Sequence, residues 1–180
     1  WVRVFGASEA GLRSLSALAG TATIPFAYLA GAALVTRRAG LTAAVLVAVN
    51  PFLVWYSQEA RAYALATLFV AAGLAFAAQA HRGSTLGVFG WGIASALAIA
   101  THYFAVFVVA AEVVWLLAAG RPARRLTALS CVLPFAVGLL HLRLVRGQSG
   151  GGVDLGTEPL VRRLVGTGKD FVVGFSFPLE

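Results

Sequence analysis

AYALATLFVAAGLAFAAQA, residues 62–80, is the stretch that decides the fold. It carries no acidic or basic side chain, and its length is close to the ~20 apolar residues that take a helix across ~30 Å of hydrocarbon. Polar breaks bound it on both sides, Ser57-Gln58-Glu59-Ala60-Arg61 before and His81-Arg82-Gly83-Ser84 after. The same alternation of apolar run and short polar break continues in both directions. Upstream lie Leu15 to Thr36, which contains Pro25 and is expected to kink there, and the shorter run Leu41 to Tyr56. Downstream lie Leu86 to Thr101, Phe104 to Ala119, and Leu126 to Val145 with Pro134 inside it.

Composition agrees. Hydrophobic residues make up 59% of the 180 and charged residues 12%, against about 25% charged in a soluble domain. Such a chain cannot cover itself with polar surface, so the expected fold is all-α: a polytopic transmembrane bundle of about six spans over residues 1–145, near 15–36, 41–56, 62–80, 86–101, 104–119 and 126–145. Ser8 and Glu9 form a helix start with a cap and an acid in the first turn, predicting a juxtamembrane helix at the interface before the first span. Ala or Gly at four-residue spacing, as at Ala27 and Gly31 or Ala44 and Ala48, predicts close helix packing. Residues 146–180 are polar and read as an extracytoplasmic loop, partly helical near Pro159 to Val165. The chain has no Met and starts at Trp1, and is read as an internal fragment.

Several function classes drop out. The formal charge is +7, but the basic residues sit in clusters at the ends of apolar runs and not on one stripe, which excludes nucleic acid as a partner. Cys131 is the single cysteine, so there is no intrachain disulfide and no cysteine metal site. No phosphate-binding glycine loop, zinc-type His/Cys spacing or Ser/His/Asp set is present. Gly147 to Gly152 is a flexible linker, because no helix start with Lys follows it.

Basic residues also orient the bundle. Arg37, Arg38, Arg82, Arg121, Arg124 and Arg125 fall in one set of short loops, and Arg61 alone between spans in the other. By the positive-inside bias the first set is cytoplasmic, which puts the Ser57 to Arg61 turn, His102-Tyr103 and the loop after Arg146 outside the cell membrane.

The outer turn Trp55 to Tyr63 holds more polar chemistry than a turn needs. Arg61 can hold phosphate oxygens through paired hydrogen bonds, and Glu59 could orient that guanidinium, ligate a metal or act as a base. The alternative is a loose interface ion pair. His102 in the next outer turn could meet phosphate, a metal or a hydroxyl, or be merely solvated. Glu112 lies mid-span and is expected to face the bundle interior, paired or protonated. His141 and Arg143 are expected to snorkel to the surface.

Three strings carry a family resemblance: SLSALAGTATIPFAYLAG (14–31), RRAGLTAAVLVAVNPFLVWYSQEARAYAL (37–65) and ATHYF (100–104). Over roughly Phe5 to Leu117 the chain resembles the GT-C membrane glycosyltransferases of the dolichyl-phosphate-mannose protein mannosyltransferase-like branch, whose relatives include the bacterial aminoarabinose transferase. The resemblance implies transfer of a sugar from a polyprenyl-phosphate donor, in an outer cavity and with inversion, to an acceptor hydroxyl on a protein, lipid or glycan. It implies that Gln58, Glu59, Arg61, His102 and Tyr103 line the substrate cavity. The catalytic acid of the family lies in a first outer loop, expected upstream of Trp1, so the catalytic residue is unknown. Some relatives use a divalent cation, which leaves the cofactor open. The competing readings are a transporter, which would show internal repeats and mid-membrane breaks, and a non-catalytic bundle.

Overall fold

The structure, a computed structural model, describes residues 1–6, 8–118 and 124–147. Among these residues the secondary structure is helical throughout: α1 (Val2–Phe5), α2 (Glu9–Leu34), α3 (Arg37–Val49), α4 (Pro51–Gln58), α5 (Tyr63–His81), α6 (Thr85–Thr101), α7 (Ala105–Ala118), α8 (Arg124–Ser130) and α9 (Val132–Gly147).

The expected helix start is where the sequence puts it. Ser8 caps α2, its Oγ accepting from the Gly11 amide at 3.2 Å. The juxtamembrane stretch is continuous with the first span, and α2 runs unbroken through Pro25 to Leu34. Arg37 to Gly40 form the first turn of α3, whose cap is Thr36, its Oγ1 accepting from the Ala39 amide at 3.2 Å.

The run expected as the second span is two helices. Pro51 has no amide to continue α3 and disfavours helical geometry at the residue before it. Asn50 therefore turns extended and caps α4, its Oδ1 accepting from the Leu53 amide at 3.0 Å. The two axes differ by 55°. The last run is likewise interrupted, at Cys131, between α8 and α9. Pro134 has no N–H for the carbonyl of Ser130, which is the bond that would carry the helix through.

By length and composition α2, α5 and the 19-residue stretch Arg125–Arg143 are long and apolar enough to cross a membrane, and the bent α3–α4 pair makes a fourth if counted as one span. Two shorter apolar helices, α6 of 17 residues and α7 of 14, occupy the other two expected runs. The expected loop beyond Gly147, with its short helix near Pro159, lies outside the described residues.

Packing runs inside out compared with a soluble protein. The face of α5 turned inward is Ala64, Ala72, Gly73, Ala75, Ala77, Ala78 and Ala80, while Leu18, Leu46, Leu86, Phe107 and Phe135 stand on the outside. Small residues let backbones approach where no water drives them together, and large side chains outside meet lipid. The bundle is embedded in a membrane. Trp91, Val88, Ile99, Val109 and Leu116 join the α5 alanines in the core. On α7 the buried residues Ala105, Val109, Glu112 and Leu116 recur at the spacing of one helical face. Helix α5 packs between α2 and α6, α3 leans on the far side of α2, and α9 on α6.

Two glycines set the α2 contacts. A Cβ on Gly31 would stand 2.9 Å from the Gly40 Cα, closing α2 on α3, and a Cβ on Gly20 would stand 2.6 Å from Ser57 Cβ. The second contact draws α4 against α2 at the end that holds the Trp55 to Tyr63 turn. Of the small residues expected to pack, Gly31 does so, while Ala48 is exposed.

Candidate functional site

The polar side chains separate by end. At one end the Arg82 guanidinium donates to the Ala33 carbonyl, which brings Arg82 beside the α2–α3 connection carrying Arg37 and Arg38. At the other end the first turns of α2 meet the turn that follows α4. The Ser16 hydroxyl, buried on α2, donates to the Arg61 carbonyl at 3.4 Å and ties the two together.

An open cleft of about 370 Å³ lies there, lined by Glu9, Leu12, Arg13, Glu59, Ala60 and Arg61. Glu59 ends α4 and leaves the helix extended, which turns its carboxylate back along the helix. Oε1 accepts from the Trp55 indole Nε1 at 3.2 Å, and Oε2 stands 3.7 Å from Arg61 Nε. Glu59 is therefore held from two directions, while its Arg61 partner is 66% exposed and presents its guanidinium to the cleft. Gln58, the last residue of α4, is exposed.

His102 caps the end of α6, with its amide donating to the Ala98 carbonyl at 2.9 Å. Its ring is half-buried in an aromatic ladder that runs from α4 to the α6–α7 turn. Phe52 meets Tyr56 at 4.6 Å between ring centroids, Tyr56 meets Tyr63 at 4.6 Å, and Tyr63 meets His102 at 5.5 Å. His102 then stacks on Tyr103 at 5.6 Å, and Tyr103 is exposed. The two polar turns singled out in the sequence thus occupy one end of the bundle, joined through Tyr56 and Tyr63.

A second cavity, of about 210 Å³, opens where α3 bends into α4 and is lined mainly by Thr21, Ile24, Val47, Leu53, Ser57 and Thr67. Among the described residues no group of three His, Cys, Asp or Glu side chains comes together to hold a metal ion.

The family model for dolichyl-phosphate-mannose-protein mannosyltransferases matches residues 1–146. The chain belongs to that family. No curated protein and no solved structure matches it. Membership in the dolichyl-phosphate-mannose-protein mannosyltransferase family makes this a membrane glycosyltransferase of the GT-C type, and the matched residues include the cleft, the ladder and the second cavity.

In this mannosyltransferase-family chain the structure brings Glu59 to Arg61 and His102 to Tyr103. It adds Glu9 and Arg13, which sequence reading took only as a helix start. The signal for them was their spacing: four residues apart on α2, they form an ion pair at 2.6 Å. Glu112 is buried as expected, at 6% exposure, with Oε2 accepting from the Trp91 indole at 2.9 Å. Arg143 is exposed, and the His141 Nδ1 lies 3.2 Å from the Val137 carbonyl of its own helix.

Proposed function

We propose that this protein transfers a sugar from a polyprenyl-phosphate donor to an acceptor hydroxyl on a protein, lipid or glycan, with inversion at the anomeric carbon, in the cleft at the Glu59–Arg61 end, and that this end faces the extracytoplasmic side of the cell membrane. The observation that carries the reading is the held carboxylate and presented guanidinium of Glu59 and Arg61 at the rim of a membrane-embedded bundle, in a chain of this family.

The chemistry follows from the charges. The hydroxyl oxygen attacks the anomeric carbon, the bond from that carbon to the phosphate oxygen breaks, and its electron pair stays on the lipid phosphate. A carboxylate base takes the hydroxyl proton, as in inverting glycoside chemistry; in the family's pattern that base is an acid of the first outer loop. Negative charge grows on the leaving phosphate, so a fixed guanidinium such as Arg61 stabilises the transition state more than the ground state. Glu59, bonded to Trp55 at one oxygen and 3.7 Å from Arg61 at the other, is a positioning residue for Arg61 and not the base. Gln58, His102 and Tyr103 do not line the cleft itself; His102 and Tyr103 lie at the same end of the bundle in the aromatic ladder, whose flat surfaces would meet a sugar ring. The prenyl tail stays in the bilayer, which is why the site is built on spanning helices.

Orientation rests on the same division of ends. Arg37, Arg38 and Arg82 share the end opposite the cleft, and the positive-inside bias makes that end cytoplasmic.

The test is sugar transfer from a polyprenyl-phosphate donor in membranes carrying the full-length protein. Arg61→Ala is expected to lose most transfer and Glu59→Gln to lower it roughly tenfold, both inserting normally. Transfer equal to the parent in both variants would reduce the turn to an interface ion pair.

A further inference from the structure

The cleft is lined by two Glu–Arg pairs, and they are not equivalent. Glu59 is the more buried of the two acids, its side chain 29% exposed, and it is fixed by Trp55 as well as by Arg61. Arg13 and Glu9 lie on one helix face, with side chains 54% and 74% exposed. An exposed pair four residues apart on a helix is weak and screened by salt, so Arg13 can leave Glu9 at little cost. The Ser16 bond to the Arg61 carbonyl keeps the first turns of α2 against the turn after α4, so both guanidiniums border the same space.

We propose that Arg13 is a second phosphate-holding residue of this site, held on Glu9 at rest and drawn to the lipid phosphate as it leaves. This rests on the transfer reading given above. The donor phosphate is a diester with one negative charge. When the anomeric C–O bond breaks, its electron pair stays on the phosphate oxygen, and the leaving polyprenyl phosphate carries a second charge, while the acceptor proton goes to the carboxylate base. One guanidinium matches the donor. A second, loosely tethered one matches the leaving group, and an interaction that strengthens only as charge develops raises the rate without tightening donor binding. Glu9 is then a resting partner whose competition for Arg13 keeps the product from binding too tightly. The nearly neutral set of two acids and two bases becomes a cradle for a dianion once Arg13 turns.

The experiment measures inhibition by added polyprenyl phosphate, together with kcat and donor KM, in membranes carrying the full-length protein. For Arg13→Ala the expected result is inhibition weaker by roughly tenfold and a kcat lower by a similar factor, with donor KM changed less than about threefold. Arg13→Lys, which keeps the charge and loses the fork, should recover part of both. Glu9→Gln frees Arg13 and should strengthen product inhibition by roughly two- to threefold. If Arg13 served only to pair with Glu9, Glu9→Gln and Arg13→Ala would shift inhibition the same way, and that result overturns the proposal. So does unchanged inhibition in Arg13→Ala while Arg61→Ala still abolishes transfer. Unchanged transfer in Arg61→Ala would instead overturn the transfer reading itself, and this inference with it.

Discussion

Glu59 and Glu112 each accept a hydrogen bond from a tryptophan, Trp55 Nε1 of the preceding helix turn at 3.2 Å and Trp91 Nε1 of the neighbouring helix at 2.9 Å. Both second oxygens are buried without a hydrogen-bond partner among the described residues, but their surroundings differ. In Glu59 it stands 3.7 Å from Arg61 Nε at the edge of an open cleft; in Glu112 it lies among α5, α6 and α7 with no cation beside it among the described residues. The same Trp–Glu pairing therefore aims a cation at the rim and joins two helices in the core. The lesson is that depth decides what an acid in a membrane bundle is for: near water its second oxygen is spent on orienting chemistry, and in the core any loss of its partner is charged to stability.

That contrast can be broken in a graded way. The largest effect is expected from Arg61→Ala, which removes the cation that the rim acid orients: transfer should fall by about 10²–10³-fold, measured as sugar incorporation at equal protein insertion. Next comes Glu112→Ala, which leaves the Trp91 indole unpaired in the core and should lower bundle stability by about 1–3 kcal/mol, read from thermal unfolding in detergent; Glu112→Gln keeps an acceptor and should lose less. Glu59→Gln should cut transfer by roughly tenfold with unfolding unmoved, since an exposed pair adds about 0–1 kcal/mol to stability. Smallest is Trp55→Phe, with a roughly two- to threefold loss of transfer and no shift in unfolding. If Glu59→Gln destabilised the bundle as much as Glu112→Ala, the division between rim and core would fail.

Much of the fold was legible because it depends on local chemistry. The helix cap at Ser8 follows from a side-chain oxygen next to unpaired amides, and Glu112 had to turn inward because lipid offers it no partner. The breaks were harder to read. Residues 41–56 read as one span, whereas Asn50 caps a second helix and the chain continues at 55°; whether a proline ends a helix or bends it depends on what the next helix packs against, here the Gly20–Ser57 contact. The site was half legible. Glu59, Arg61 and His102 stood out as polar residues in turns too short to need them. Glu9 and Arg13 did not, because their meeting with Arg61 depends on how α2 and α4 pack, which no local pattern encodes.

The length of α6 carries a consequence for the lipid itself. At 1.5 Å per residue, its 17 residues reach about 26 Å, short of a ~30 Å hydrocarbon core. Hydrophobic mismatch of that sign is relieved by thinning the bilayer beside the short helix. The turn after α6 carries His102, Tyr103 and Phe104, so thinning there would draw headgroups toward the aromatic ladder. A lipid-borne sugar arriving from this side would meet the protein where its own membrane is shallowest.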